Sequence, residues 1–292
     1  MIAVTGISGN IGSQLAQNLL AANQPIRAVV RDIRKAQPWA ARGCEVAQAD
    51  INDAQSMADA FQGADAVFIL VPPIFDPLPG FPEAQTIAAN LKFALNSAHP
   101  SRVVYLSTIG AQATQTNLLS QHTIIEKSLR ELPISITFLR PGWFMENASW
   151  DVASARKDGK IYSFLQPLEK PVPMVATADI ARIAAQLLQQ QSTQWTGHQI
   201  VELEGPERVT PNQIAATFAE LLGHPVAIQP VPRETWPTLF QSQGMKNPTP
   251  RIQMLDGFNE DWINFEHPTE VLKGTVTLKE VLKSLLENSP KE

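Results

Sequence analysis

The fold turns on the first twelve residues, in particular Ile2-Ala3-Val4-Thr5-Gly6-Ile7-Ser8-Gly9-Asn10-Ile11-Gly12. A short apolar run suits a buried strand, and apolar residues at spacings of three and four from Ile11 to Ala22 predict a helix. Between them lies a G-x-x-G-x-x-G turn in the strand–turn–helix context that dinucleotide binding requires. Gly6 permits the sharp turn, Gly9 lets backbone approach a pyrophosphate, and Gly12 allows close helix–strand packing. The N–H groups at the helix start then face the anion. The residues expected to hold the cofactor here are Gly6, Ser8, Gly9, Asn10, Ile11 and Gly12.

Outward from this turn, strand-like runs recur at Ile26–Val30, Cys44–Ala47, Ala66–Val71, Arg102–Leu106 and Ser135–Leu139. Helical patterns intervene at Asp53–Gln62, Pro82–Ala98 and Asn117–Leu132. This alternation predicts an α/β fold with a doubly wound parallel sheet. A later helix at Ala178–Gln190 and strand at His198–Leu203 carry the nucleotide domain past its first break. The expected division is residues 1–142 plus about 178–205 for the Rossmann domain, with about 143–177 and 206–292 forming a smaller α/β substrate or partner lobe. Thr210-Pro211-Asn212-Gln213 reads as a capping box with proline at the first helical position. Short helices are expected around Glu234–Gln243 and Thr277–Leu286.

The chain has 292 residues and a net charge of −5, which provides no general basic field for nucleic acid. No apolar run approaches the roughly 20 residues that span a bilayer. One cysteine, Cys44, cannot close an internal disulfide, and no Cys/His spacing suits a metal. Because the strand pattern starts at the first residues, a cytoplasmic location is expected.

The second strand ends at Arg31, followed by Asp32, Arg34 and Lys35. An acidic residue at this place accepts a ribose 2′-OH, whereas arginine accommodates a 2′-phosphate. The cationic cluster therefore points to NADP(H) over NAD(H), with Asp32 as the competing ribose ligand. Asp50, Val71 and Pro72, after the third and fourth strands, are candidates for adenine and ribose contacts.

Together with these residues, Val103-Val104-Tyr105-Leu106-Ser107-Thr108, His122-x-x-x-Glu126 and Leu139-Arg140-Pro141-Gly142-Trp143-Phe144-Met145-Glu146-Asn147 make the chain resemble the NmrA-like family of atypical short-chain dehydrogenases. The resemblance implies an NAD(P)H-dependent quinone or dye reductase, or a regulator that senses the dinucleotide and presents a surface to a protein partner. Typical short-chain dehydrogenases use a Tyr-x-x-x-Lys pair for proton transfer. Here Tyr105 and Tyr162 are followed four residues later by Ile109 and Gln166. That loss weighs against ketone substrates and sugar-nucleotide epimerisation, and less against a quinone, whose hydroquinone anion is weakly basic. His122 and Glu126, one helical turn apart, form a candidate substitute acid in which the carboxylate orients the imidazole and favours its protonated form. Ser107 and Thr108 are candidate substrate-orienting hydroxyls, Pro141 a candidate cofactor contact, and Trp143 and Phe144 candidate walls of a flat acceptor pocket.

Overall fold

The computed structural model describes residues 1–190 and 197–289. The expected domain ranges also take in 191–196 and 290–292, which lie outside the described residues. The chain divides into two compact units, the first comprising Met1–Ala111, Leu119–Arg140 and Ile180–Val201, the second Gln112–Leu118, Pro141–Asp179 and Glu202–Glu292. Residues 112–118, expected in the nucleotide domain, thus belong to the second unit.

The large sheet and its helices are β1 (Ile2–Thr5), α1 (Asn10–Ala21), β2 (Ile26–Val30), β3 (Glu45–Gln48), α2 (Ala54–Phe61), β4 (Ala66–Ile69), α3 (Pro82–Ala98), β5 (Arg102–Leu106), α4 (Ser120–Leu129), β6 (Ile136–Pro141), α5 (Thr177–Gln189) and β7 (His198–Glu204). Spatial order runs β7-β6-β5-β4-β1-β2-β3. The reversal between β1 and β4 is the switch point at which α/β sheets bind ligands. Registers are parallel throughout, for example Ile2 opposite Ile26 and Ala66. The β6–β7 edge follows suit, since Ile136 donates to Gly197 and Gly142 to Leu203.

Strands β1 and β4 are buried at every position, as strands covered on both faces must be. Each helix turns an apolar stripe inward: Ile11, Leu15 and Leu19 on α1, and Ile87, Leu91 and Leu95 on α3. Helix α4 departs from this rule, because its buried positions are Ile125, Glu126 and Leu129. It is also shorter than the expected 117–132, starting at Ser120 without a side-chain cap and ending before Arg130.

The second unit contains the helices Pro211–Leu222 and Leu278–Asn288, each opened by a complete capping box. Thr210 and Gln213 close the first box, Thr277 and Glu280 the second. Two helices absent from the sequence reading, Val152–Asp158 and Thr249–Asn259, also form here. Thr249–Asn259 has little helical amphipathicity to read, since it is buried on several sides, at Ile252, Met254, Leu255 and Phe258. Leu272–Lys273 adds a last parallel strand against Leu203 and Glu204.

Candidate functional site

The glycine turn does three separable jobs. Gly6 sits at φ +67°, a left-handed conformation that costs side-chain-bearing residues energy. At Gly12, buried under the turn, a methyl group would overlap the Gly6 carbonyl. Gly9 is exposed and has an extended φ of −94°, and a methyl there would come no nearer than 3.5 Å to the Gly6 oxygen. Neither conformation nor internal packing demands glycine at position 9, and without a side chain there its backbone is open to approach from outside the chain. Gly9 caps α1 without any side-chain hydrogen bond, and the N–H groups of Asn10, Ile11 and Gly12 have no intrahelical acceptor. Such a turn could hold a phosphate-bearing ligand.

Beside it, at the carboxyl ends of the strands, lies a cavity of about 360 Å³ lined by Thr5, Gly6, Ser8, Val29, Val30, Arg31, Asp32, Lys35, Ala49, Ile51, Met57, Leu70 and Pro72. Thr5 fixes its floor by accepting from the Leu70 N–H at 2.8 Å. Two expected contacts are displaced by one residue. Pro72, itself a candidate, lines the cavity together with Leu70, whereas Val71 between them does not, and Ala49 and Ile51 line it on either side of Asp50. The Asp50 carboxylate instead accepts from the backbone and side-chain nitrogens of Asn52, at 2.9 and 3.0 Å. The alternation of extended chain beyond a strand end decides which neighbour points inward.

Charge at the cavity rim is asymmetric. Arg34 clasps Asp32 through Nε and a terminal nitrogen at 2.9 and 2.8 Å, and its backbone N–H also donates to the same carboxylate. These bonds hold the Asp32 carboxyl below the usual range. Arg31 is exposed and makes no ion pair among the described residues.

A second constellation joins β5, α4 and β6. The Tyr105 hydroxyl lies 2.7 Å from His122 Nδ1. Ser107 Oγ donates to Glu126 Oε1 at 2.6 Å, and Arg140 grips both Glu126 oxygens at 2.9 and 2.7 Å. Arg130 adds a contact at 3.2 Å and stacks over the Phe138 ring. Burial pushes the Glu126 carboxyl up, but the Arg140 hydrogen bonds and charge, helped by Ser107 and Arg130, outweigh it and hold the group below its usual value.

The expected His122–Glu126 pair is therefore not what the helix builds. Glu126 turns its oxygens to Ser107 and the two arginines, and His122 turns to Tyr105. Desolvation lowers the imidazole pKa to about 4, against the opposing field of Glu126, so His122 is neutral near pH 7 and not the protonated acid. Burial likewise drives the Tyr105 phenol well above its ordinary value.

Thr108 stays partly exposed just past β5, whereas Ser107 is buried. Pro141, Trp143 and Phe144 fall in the second unit. There Trp143 packs edge-on against Phe258, ring centroids 5.2 Å apart, and Phe144 pairs with Val175 in a two-residue ladder. Sequence reading missed Arg140 and Tyr105 as parts of the cluster. The available signal was a carboxylate on the apolar stripe of α4 together with an arginine inside a strand buried at every position, since lone buried charges are untenable.

Switch-point sheet, uncapped glycine turn and adjoining cavity define a dinucleotide-binding protein of Rossmann type. The NmrA-like family model matches residues 1–282, and the chain belongs to that family. Among curated relatives, an NAD(P)H azoreductase from Xenophilus azovorans is 28% identical over 89% of this chain and 85% of its own length. Quinone oxidoreductase 2 of Escherichia coli (strain K12) is 28% identical over 84% of this chain and 82% of its own. Solved structures with the same fold include the Escherichia coli NADPH-dependent quinone oxidoreductase QOR2 complexed with NADPH, at TM-score 0.79 and 24% identity, covering 98% of this chain and 99% of that one. The triphenylmethane reductase of Citrobacter sp. complexed with NADP(H) superposes at TM-score 0.78 and 24% identity over the same shares. No helix among the described residues is long and apolar enough to cross a membrane, and none of their His, Cys, Asp or Glu side chains cluster to hold a metal.

Proposed function

We propose that this NAD(P)H-dependent oxidoreductase takes NADPH in preference to NADH and reduces a quinone or a related conjugated small acceptor. The observation that carries the cofactor choice is the rim charge. Arg34 occupies Asp32, the carboxylate suited to a ribose 2′-OH, while Arg31 and Lys35 line the same cavity with positive charge available to a 2′-phosphate. The Gly9 cradle and the N-terminus of α1 hold the pyrophosphate, and Thr5, Leu70 and Pro72 wall the cavity beside it.

When bound, the nicotinamide supplies hydride. The acceptor class follows from what the chain's own residues can do with a proton. Near neutrality His122 is deprotonated and Tyr105 is held protonated by burial, so neither is a ready acid. Acceptors whose reduced form spreads charge over a conjugated oxygen and takes its proton from water suit such a site, and simple ketones, which generate a strongly basic alkoxide, do not. The azoreductase and quinone oxidoreductase relatives support the same class.

Anaerobic stopped-flow loss of NADPH absorbance with quinones, ketones and azo dyes, beside calorimetric titrations of NADP⁺, NADPH and NAD⁺, tests both halves. Saturable oxidation by quinones and tighter binding of NADP⁺ than NAD⁺ are expected. Tight dinucleotide binding without oxidation by any acceptor would overturn the reductase reading and favour a regulatory protein that senses the cofactor and acts on a protein partner.

A further inference from the structure

We infer that Arg34 decides which dinucleotide this chain prefers, as a positioning residue that acts through Asp32 and does not itself touch the cofactor. The inference rests on the NADP(H) reading above and names the residue that enforces it. Asp32 lines the cavity together with Arg31 and Lys35. It stands just past the end of β2, where a carboxylate takes the ribose hydroxyls of NAD(H).

The bonds that hold Asp32 all come from Arg34. Asp32 opens a single turn of 3-10 helix, Ile33–Ala36, and its Oδ1 accepts from the Arg34 backbone N–H at 3.0 Å. The same oxygen accepts from Arg34 Nε at 2.9 Å, and Oδ2 accepts from a terminal guanidinium nitrogen at 2.8 Å. A carboxylate offers about four lone-pair sites, shared equally between its oxygens. Oδ1 is thus filled and Oδ2 half filled. The vicinal hydroxyls of a ribose bring a pair of donors, and Asp32 keeps a single place for them.

Charge acts in the same direction. A bare carboxylate at this rim would repel the 2′-phosphate of NADP(H), and the guanidinium of Arg34 cancels it. Arg31 and Lys35 are then left as uncompensated cations on the cavity wall. The strand end that carries Arg31 is itself fixed, since Gln48 Nε2 donates to the Arg31 carbonyl at 3.0 Å and the Ala49 N–H to the Val30 carbonyl at 3.0 Å. The Arg34 side chain is 82% exposed, so it contributes no core packing. An exposed pair of this kind adds little to stability. Its loss should therefore appear in the choice of nucleotide and not in folding.

The test is calorimetric titration of NADP⁺ and NAD⁺ into the full chain as wild type, Arg34→Ala, Arg34→Lys, Asp32→Asn and the double variant Asp32→Asn with Arg34→Ala, with urea unfolding of each. Arg34→Ala should tighten NAD⁺ and weaken NADP⁺, moving the ratio of their affinities about tenfold toward NAD⁺ at unchanged stability. Arg34→Lys, which keeps the charge and loses the fork, should recover part of that shift. The double variant should return the ratio close to that of Asp32→Asn alone, because no carboxylate remains for Arg34 to hold. An unchanged ratio in Arg34→Ala overturns the inference whichever nucleotide the wild type prefers. So does an equal loss of NADP⁺ affinity when Asp32→Asn is already in place, which would mean that Arg34 meets the phosphate directly, and so does a parallel fall in both affinities together with stability. Wild-type protein that binds NAD⁺ as tightly as NADP⁺ overturns the cofactor reading, and protein that binds neither overturns both.

Discussion

The glycine cradle and the Tyr105–Glu126 cluster lie in the same unit but are made by opposite means. The cradle is backbone. Its three glycines fall within seven consecutive residues, it faces water, and its charge stands at a rim that the chain leaves open. The cluster is side chain. Its bonds join residues 17, 19 and 14 positions apart, and most of it is sealed from solvent. A site of the first kind tolerates loss of a charge and changes affinity. One of the second kind passes such a loss into folding, because its charges have no water to fall back on.

The largest effect should come from splitting the buried ion pair. Arg140→Met leaves the Glu126 carboxylate buried and short of its main partner, and should cost about 3–5 kcal/mol in urea unfolding. The double change Glu126→Leu with Arg140→Met should recover most of that cost, since neither charge of the buried pair then remains and Arg130 can turn to solvent. A double variant as unstable as the single would show that the cluster's value is packing rather than charge balance.

Acid should find the cluster next. His122 has a folded pKa of about 4, lowered from 6.5, so the folded state resists its protonation. The contribution is fully present above pH 6.5 and is lost as pH falls from there toward 4. Glu126, with its depressed pKa, adds its own loss at lower pH. Unfolding free energies measured at intervals from pH 7.5 to 4 should fall in wild type and stay flatter in His122→Gln through the upper part of the window.

The cradle should answer differently at each glycine. Gly12→Ala forces a methyl against backbone and should cost about 1–3 kcal/mol of stability. Gly9→Ala should leave stability within about 0.5 kcal/mol while weakening NADP⁺ binding tenfold or more by calorimetry. Equal effects at the two positions would erase the distinction between an inward-facing and an outward-facing glycine.

The smallest change is at the rim. Arg31→Ser should weaken NADP⁺ about tenfold, or about 1.4 kcal/mol, with NAD⁺ affinity and fold stability unchanged. A parallel loss for both nucleotides would mean that Arg31 does not read the 2′ position.

Where these two regions differ, so did their legibility. The strand–turn–helix of the cradle, the order of strands and helices, the capping boxes at Thr210 and Thr277, and Arg31 at the end of β2 could be read along the chain, because turns, caps and amphipathic stripes are local properties. The inward neighbour of Val71 and of Asp50 could not, since one residue of drift past a strand end reverses which side chain faces the cavity. The His122–Glu126 spacing was legible as a shared helix face, yet its meaning was not. Local geometry permits a carboxylate–imidazole pair, but Arg140 and Ser107 arrive from β6 and β5 to claim the carboxylate, and Tyr105 claims the imidazole. The Rossmann scaffold, its glycine turn and the sign of charge at its rim are therefore properties of local sequence. The partners taken by the buried polar groups, and the neutrality of His122, come from packing, because hydrogen bonding and desolvation depend on everything around a group, not on the residues beside it in the chain.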